Sequence, residues 1–236
     1  FLRGLLRCFS GARFFTGGSL ICSTGTVLFD VPVESSLIPS FDSVDIADGV
    51  ILSHTDHTDT HDYSLIMDVS GDMNIASGAA LSVDGKGYSN ENGPGAGLTN
   101  YHCGGGGGHG GEGARSSQSA DDGGPAYGSI TAPTAAGSGG GRTTYRNRAG
   151  GAGAGAIKLT VGGTLTNDGT ISADGNNGTT HYEDGSGAGA GGSIWIEAGT
   201  LAGSGPIRAD GGDGGNSSYD GGGGAGGRIG LYYDSQ

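Results

Sequence analysis

Positive charge is what this chain has least of. Its 236 residues carry 11 lysines and arginines against 24 acidic residues, a formal net charge of −13, and no Lys or Arg occurs from Phe14 to Gly85. Nucleic-acid phosphates require a basic footprint, so nucleic acid is excluded as a partner. An acidic surface favours solubility or bound cations instead. Long apolar runs are also missing: Arg3, Arg7 and Arg13 interrupt the apolar start FLRGLLRCFSGARFF, so no stretch approaches the ~20 residues of a membrane-spanning helix. The same start is open to reading as the relic of a targeting segment, although it lacks a clean apolar core followed by a small-residue cleavage site. Cysteine is scarce, with three residues. Cys8 and Cys22 are spaced to close a short loop in an oxidising compartment, which leaves Cys103 odd; three free thiols are the alternative.

What is present in excess is glycine, 56 residues, more than three times the usual share of about 7 %. There is no strict G-X-Y period, which excludes a collagen triple helix. Instead the chain repeats itself. SLIMDVSGDMNIASGAALSVDGKG (64–87), AIKLTVGGTLTNDGTISADGNNG (156–178) and SIWIEAGTLAGSGPIRADGGDGG (193–215) align, and a fourth copy, RIGLYY, begins at Arg228. Within each copy apolar residues alternate, as in Ile157, Leu159 and Val161, and the patterned stretch ends on an Asp-Gly turn. Period two with tight Gly and Asn turns reads as short strands. SFDSVDIADGVILSHTDHTD (40–59) alternates in the same way and extends the series.

One copy cannot bury its apolar row alone. The expected fold is therefore all-β, a short right-handed parallel β-helix (β-solenoid) of stacked three-strand rungs over residues 39–236. Residues 1–38 precede it as a cap or an inter-subunit strand, and a long glycine-rich insert occupies about 86–155. The inserts all leave after an Asp-Gly turn and return before the next first strand, so the expectation is polyglycine segments in polyproline-II geometry packed along one side. A flexible linker and a β-sandwich are the competing readings.

IKLTVGGTLTNDGTISADG, GGSIWIEAGTLAGSGPIRADGGDGG, GGAGGRIGLYY and PAYGSITAPTAAGSGGG resemble the glycine-rich repeats of large secreted or cell-surface proteins predicted from environmental bacteria. The likeness spans residues 40–233. It implies an extracellular, β-helix-like setting and no known chemistry.

Several residue groups invite a chemical reading. In HTDHTDTHD (54–62) an extended backbone puts His57, Asp59 and His61 on one face, a donor set suited to a zinc-like ion; a solvated polar strand is the plainer reading. Asp84, Asp174 and Asp210 occupy equivalent Asp-Gly turns and would stack, where they recruit Ca²⁺ or another divalent cation, or simply serve the turns. Asn177 and Asn216 head N-x-[ST] triplets in polar loops and permit glycosylation. Trp195, Tyr182, Tyr219, Tyr232 and Tyr233 are suited to stack on sugar rings, covering an edge or wedging a core being the plainer reading. Ser lies in no G-x-S-x-G elbow and the glycine runs lack the Lys of a phosphate loop, so no cofactor and no enzymatic activity are expected. Ile229, Leu231 and Tyr233 form an incomplete last layer whose edge must be covered by a cap or by another subunit. The expectation is a head-to-tail homo-oligomer, an extracellular or cell-surface filament or adhesive fibre, with a glycan- or ice-binding module as the alternative and a polysaccharide-active enzyme after that.

Overall fold

The computed structural model describes residues 18–32, 38–57, 63–119 and 122–235, and among them every regular element is a strand. The strands are β1 (Ser19–Cys22), β2 (Thr26–Leu28), β3 (Val31–Pro32), β4 (Ser40–Phe41), β5 (Ser43–Ile46), β6 (Ile51–Ser53), β7 (Tyr63–Val69) and β8 (Met73–Ile75). There follow β9 (Ala80–Ser82), β10 (Ala156–Asn167), β11 (Thr170–Ser172), β12 (Thr180–His181), β13 (Asp184–Gly185), β14 (Ser193–Ala202), β15 (Ile207–Arg208) and β16 (Arg228–Ser235).

The single β-solenoid of three-strand rungs is not what forms. The strands make two largely parallel sheets side by side, one of nine strands with the path β1-β5-β8-β10-β14-β16 and one of five ordered β15-β11-β9-β6-β2, and β12 and β13 form a small antiparallel pair. The reason lies at Gly162-Gly163. There the chain stays extended through a bulge, so the first two expected strands of the second copy fuse into the 12-residue β10, which pairs with both β7 and β8. β14 does likewise over 10 residues. Each later copy thus gives one long strand to the large sheet and one short strand, β11 or β15, to the small one. β3 also runs antiparallel to β7, which no parallel rung would do.

The repeat does set the register. Leu65, Ile157, Ile194 and Ile229 stand in line across β7, β10, β14 and β16, as do Met67, Leu159, Ile196 and Leu231. Val27, Leu52, Leu81, Ile171 and Ile207 form the matching row of the small sheet. The two rows face each other in one apolar core, since alternate residues of a strand share a face. Residues 19–32 belong to this body: β1 and β2 pair with β5 and β6 of their own chain, and Leu20, Cys22, Val27 and Phe29 are buried.

The glycine-rich stretches form a third region with a three-residue period. Gly104 and Gly107 donate their amides to Gly185 and Ala188, Gly105 and Gly108 to Leu98 and Gly95, and Gly106 to Ala114. Likewise Gly187 and Ala190 donate to Gly141 and Ser138, Ala188 and Gly191 to Gly222 and Ala225, and Gly189 and Gly192 to Asn176 and Ala173. Three residues per turn with no internal hydrogen bond is the repeat of polyproline II. Each segment therefore bonds three neighbours in turn, which satisfies amides that would otherwise be orphaned. Segments 151–155, 187–192 and 221–227 run straight into β10, β14 and β16, and Ser193 and Arg228 donate back to Gly155 and Gly192.

Candidate functional site

The three turns stack, but the carboxylate oxygens of Asp84 and Asp174 already have work. Asp84 Oδ1 accepts the Asp174 amide at 2.7 Å, and Asp174 Oδ1 accepts the Asp210 amide at 2.8 Å. Asp84 Oδ2 also takes the hydroxyls of Ser82 and Ser172, while Asp174 Oδ2 pairs with Arg208. The same device recurs elsewhere: Asp42 accepts from Gly18, Asp72 from Thr164 and Asn177 from Asp213. An Asp or Asn on one layer thus receives a backbone amide of an adjacent layer, a bond that fixes spacing and is charge-assisted where the acceptor is Asp. Asp174→Ala is expected to cost about 1 kcal/mol of stability, the usual net worth of such a bond on a half-exposed edge. Chelation of divalent cations should leave the melting temperature of the parent unchanged. Thermal melts of both proteins, with and without chelator, check the two statements.

Asp59 and His61 lie outside the described residues, so only His57 of that trio is placed. It is buried, with its ring edge-on to Tyr88 at 5.0 Å between centroids. Among the described residues no three His, Cys, Asp or Glu side chains come together as metal ligands. Cys22 and Cys103 are free and buried, and burial pushes the Cys22 thiol up to about 11; Cys8 is outside the described residues. Asn177 and Asn216 are exposed.

A cluster of which sequence reasoning picked out only Tyr182 and Tyr219 for sugar stacking lies where loops from four glycine-rich stretches meet. Residues 100–103, 143–148, 180–185 and 217–220 are joined by backbone bridges between Asn100 and Thr143, Cys103 and Gly185, and Asp184 and Tyr219. At its centre His102 stacks on Tyr219, with centroids 4.6 Å apart and planes 19° apart. Its Nδ1 sits 2.7 Å from Asp184 Oδ1. Asp184 is fully buried, and its Oδ2 accepts no hydrogen bond. Arg146 Nε lies 3.4 Å from that oxygen, within ion-pair reach but outside hydrogen-bond geometry, and its guanidinium covers the rings of Tyr145 and Tyr182. Tyr101, Tyr145 and Tyr182 are all at least half exposed. The only signals in the sequence are the tyrosines and the spacing of Arg142, Arg146 and Arg148; nothing local says that four distant loops converge.

The second notable surface is the edge made by β16, which pairs only with β14 among the described residues. Ile229 and Leu231 are 42 % and 38 % exposed, whereas Ile194 and Ile196, one strand earlier in the same rows, are 0 % and 1 % exposed. Beside this edge lies an open groove lined by Thr160, Glu197, Tyr232 and Tyr233 among others. Comparison with known proteins gives no match: no family model, no curated protein and no solved structure is similar to the chain.

Proposed function

We propose that the protein is a non-catalytic structural subunit of an extracellular filament, built by end-to-end association of copies of itself. The observation that carries this reading is the apolar core row left open at β16. Three ranks of that row are sealed, and the fourth presents Ile229, Leu231 and Tyr233 to solvent. An edge strand with apolar side chains and unpaired backbone is a template for a further strand.

A second copy of the chain fits the edge for a reason of polarity. β1, β5, β8, β10, β14 and β16 all pair in parallel, so the two ends of the stack offer unlike, complementary backbone edges. Contact between unlike ends is heterologous, and unless the rotation closes it yields an open filament rather than a closed dimer. The N-terminal region of the next copy is the occupant. Deletion of residues 1–17 is the informative truncation, because cutting to 38 would also remove β1–β3 and the buried Leu20, Val27 and Phe29.

The test is electron microscopy and sedimentation of the full chain beside an Ile229→Lys, Leu231→Lys, Tyr233→Lys variant and the 1–17 deletion. All three positions are exposed, so the lysines leave the fold intact by circular dichroism. Filaments from the parent and monomers from the triple variant are expected. A parent that stays monomeric, or filaments that persist with three lysines on the edge, refutes the reading.

A further inference from the structure

We infer that the cluster of Tyr101, Tyr145, Tyr182, Arg146 and Asp184 is a binding site for a neutral pyranose sugar. Four observations converge on it. Its tyrosines are exposed where ordinary burial would hide them: Tyr182 is 76 % exposed, and its ring carries Arg146 at 4.7 Å. Rings held open to solvent by a rigid base suit the apolar C–H face of a sugar. Next, buried polar atoms that make no hydrogen bond meet beneath them. Asp184 Oδ2 and Arg146 Nε, an ion pair at 3.4 Å, and His181 Nδ1 all lack one, and buried groups left short of hydrogen bonds are costly unless something binds them.

Third, two of the three non-glycine residues with positive φ among those described lie in this cluster. Glu91, Asn147 and Tyr182 are the non-glycine residues with positive φ among those described, at 64°, 52° and 53°. Glu91 pairs with Arg142 on the same arginine-bearing loop, Asn147 follows Arg146, and Tyr182 is part of the aromatic face. Such strain collects where geometry is set for a ligand, and a tyrosine in the left-handed region is a clear outlier.

Finally, the charge is balanced. Arg142 faces Glu91 at 3.2 Å and Arg146 faces Asp184, while Glu183 and Asp220 lie on the adjoining loops. A site for an acidic sugar would show an excess of cations. This one offers donors and acceptors in comparable number, as the hydroxyls of an uncharged sugar require, since each hydroxyl both donates and accepts. The hydrogen-bonded glycine segments beneath provide the rigid support that keeps such a site preorganised.

Titration calorimetry on the full chain, with neutral tetrasaccharides of glucose, galactose, mannose and N-acetylglucosamine and with tetragalacturonate as the acidic arm, tests this. At least one neutral probe is expected to bind. Tyr182→Ala and Arg146→Ala should each weaken that binding at least about tenfold, with circular dichroism unchanged. Tyr182→Phe should retain most of it, since the ring face is kept. The inference fails if no neutral probe binds, if tetragalacturonate binds as well as the best neutral probe, or if both alanine variants bind like the parent. Because the cluster shares no residue with the edge of Ile229, Leu231 and Tyr233, the lysine variant of that edge serves as a control and should bind normally.

Discussion

Gly187→Ala is expected to lower the melting temperature steeply, while Gly223→Ala leaves it unchanged or raises it. A methyl on Gly187 would lie 1.8 Å from the carbonyl oxygen of Gly105, and that oxygen belongs to a neighbouring segment's backbone, which cannot rotate away as a side chain can. Relief requires the two segments to part. Gly187 donates to Gly141 and Gly141 to Gly105, so parting them strains a chain of bonds. Overpacking commonly costs 1–3 kcal/mol, and a backbone obstacle belongs at the upper end, about 3 kcal/mol. For a chain of this size that is a fall of roughly 6–12 °C. At Gly223 the nearest atom to an added methyl is 3.7 Å away, an ordinary contact, and the residue is not in the left-handed region. Alanine there only restricts the unfolded chain, a gain of about 0.4–1 kcal/mol. Melting both variants by circular dichroism decides the matter: equal melting temperatures would mean that the glycine segments are not in contact.

That contrast also explains which parts of the fold the sequence made legible. Period-two alternation in 65–69, 157–161 and 194–196 is a local property, and it fixes which residues face the core and which partners share a row. Asp84, Asp174 and Asp210 are recognisable as equivalent turns for the same reason, though not that the carboxylates of Asp84 and Asp174 each take the next layer's amide. Whether Gly162-Gly163 turns or runs straight is decided by the neighbouring strands, since glycine permits both. The fused β10 was therefore invisible, and with it the two-sheet arrangement that replaced the solenoid. In the glycine region side-chain pattern carries almost no information, because the contacts are made by backbone. Which loops meet at Tyr101, Arg146, Tyr182 and Asp184 follows from that packing and from nothing in their own sequence.

The stability of the protein should fall as the pH drops from about 6.5 to about 4, and His54 is the principal cause. Its ring is fully buried, with Nδ1 2.7 Å from the Thr55 carbonyl oxygen and Nε2 turned against Gly155, with no partner. A second proton would sit in that apolar contact without a hydrogen bond. Burial therefore holds the group at about 4 rather than 6.5, with His57 and Lys86 adding repulsion and the Thr55 carbonyl and Asp30 opposing it. The unfolded chain takes up a proton below pH 6.5 and the folded chain does not until about pH 4, so the unfolded state binds more protons across that window and acid favours it. Above pH 6.5 both states are neutral at this group and its contribution is flat; below about pH 4 both are protonated and it is flat again. The displacement corresponds to roughly 3 kcal/mol. His109, also buried and lowered chiefly by burial, with its Nδ1 2.8 Å from the Gly191 carbonyl oxygen, acts in the same direction. His54→Phe keeps a ring in the space but cannot titrate. It should lose the Thr55 bond and so be somewhat less stable at pH 7.5, yet show a markedly shallower decline towards pH 4. Urea unfolding of both proteins at half-unit intervals measures the two slopes. Parallel slopes would show that His54 is solvated or paired in the folded state, and that the close approach of Gly155 to its ring does not occur.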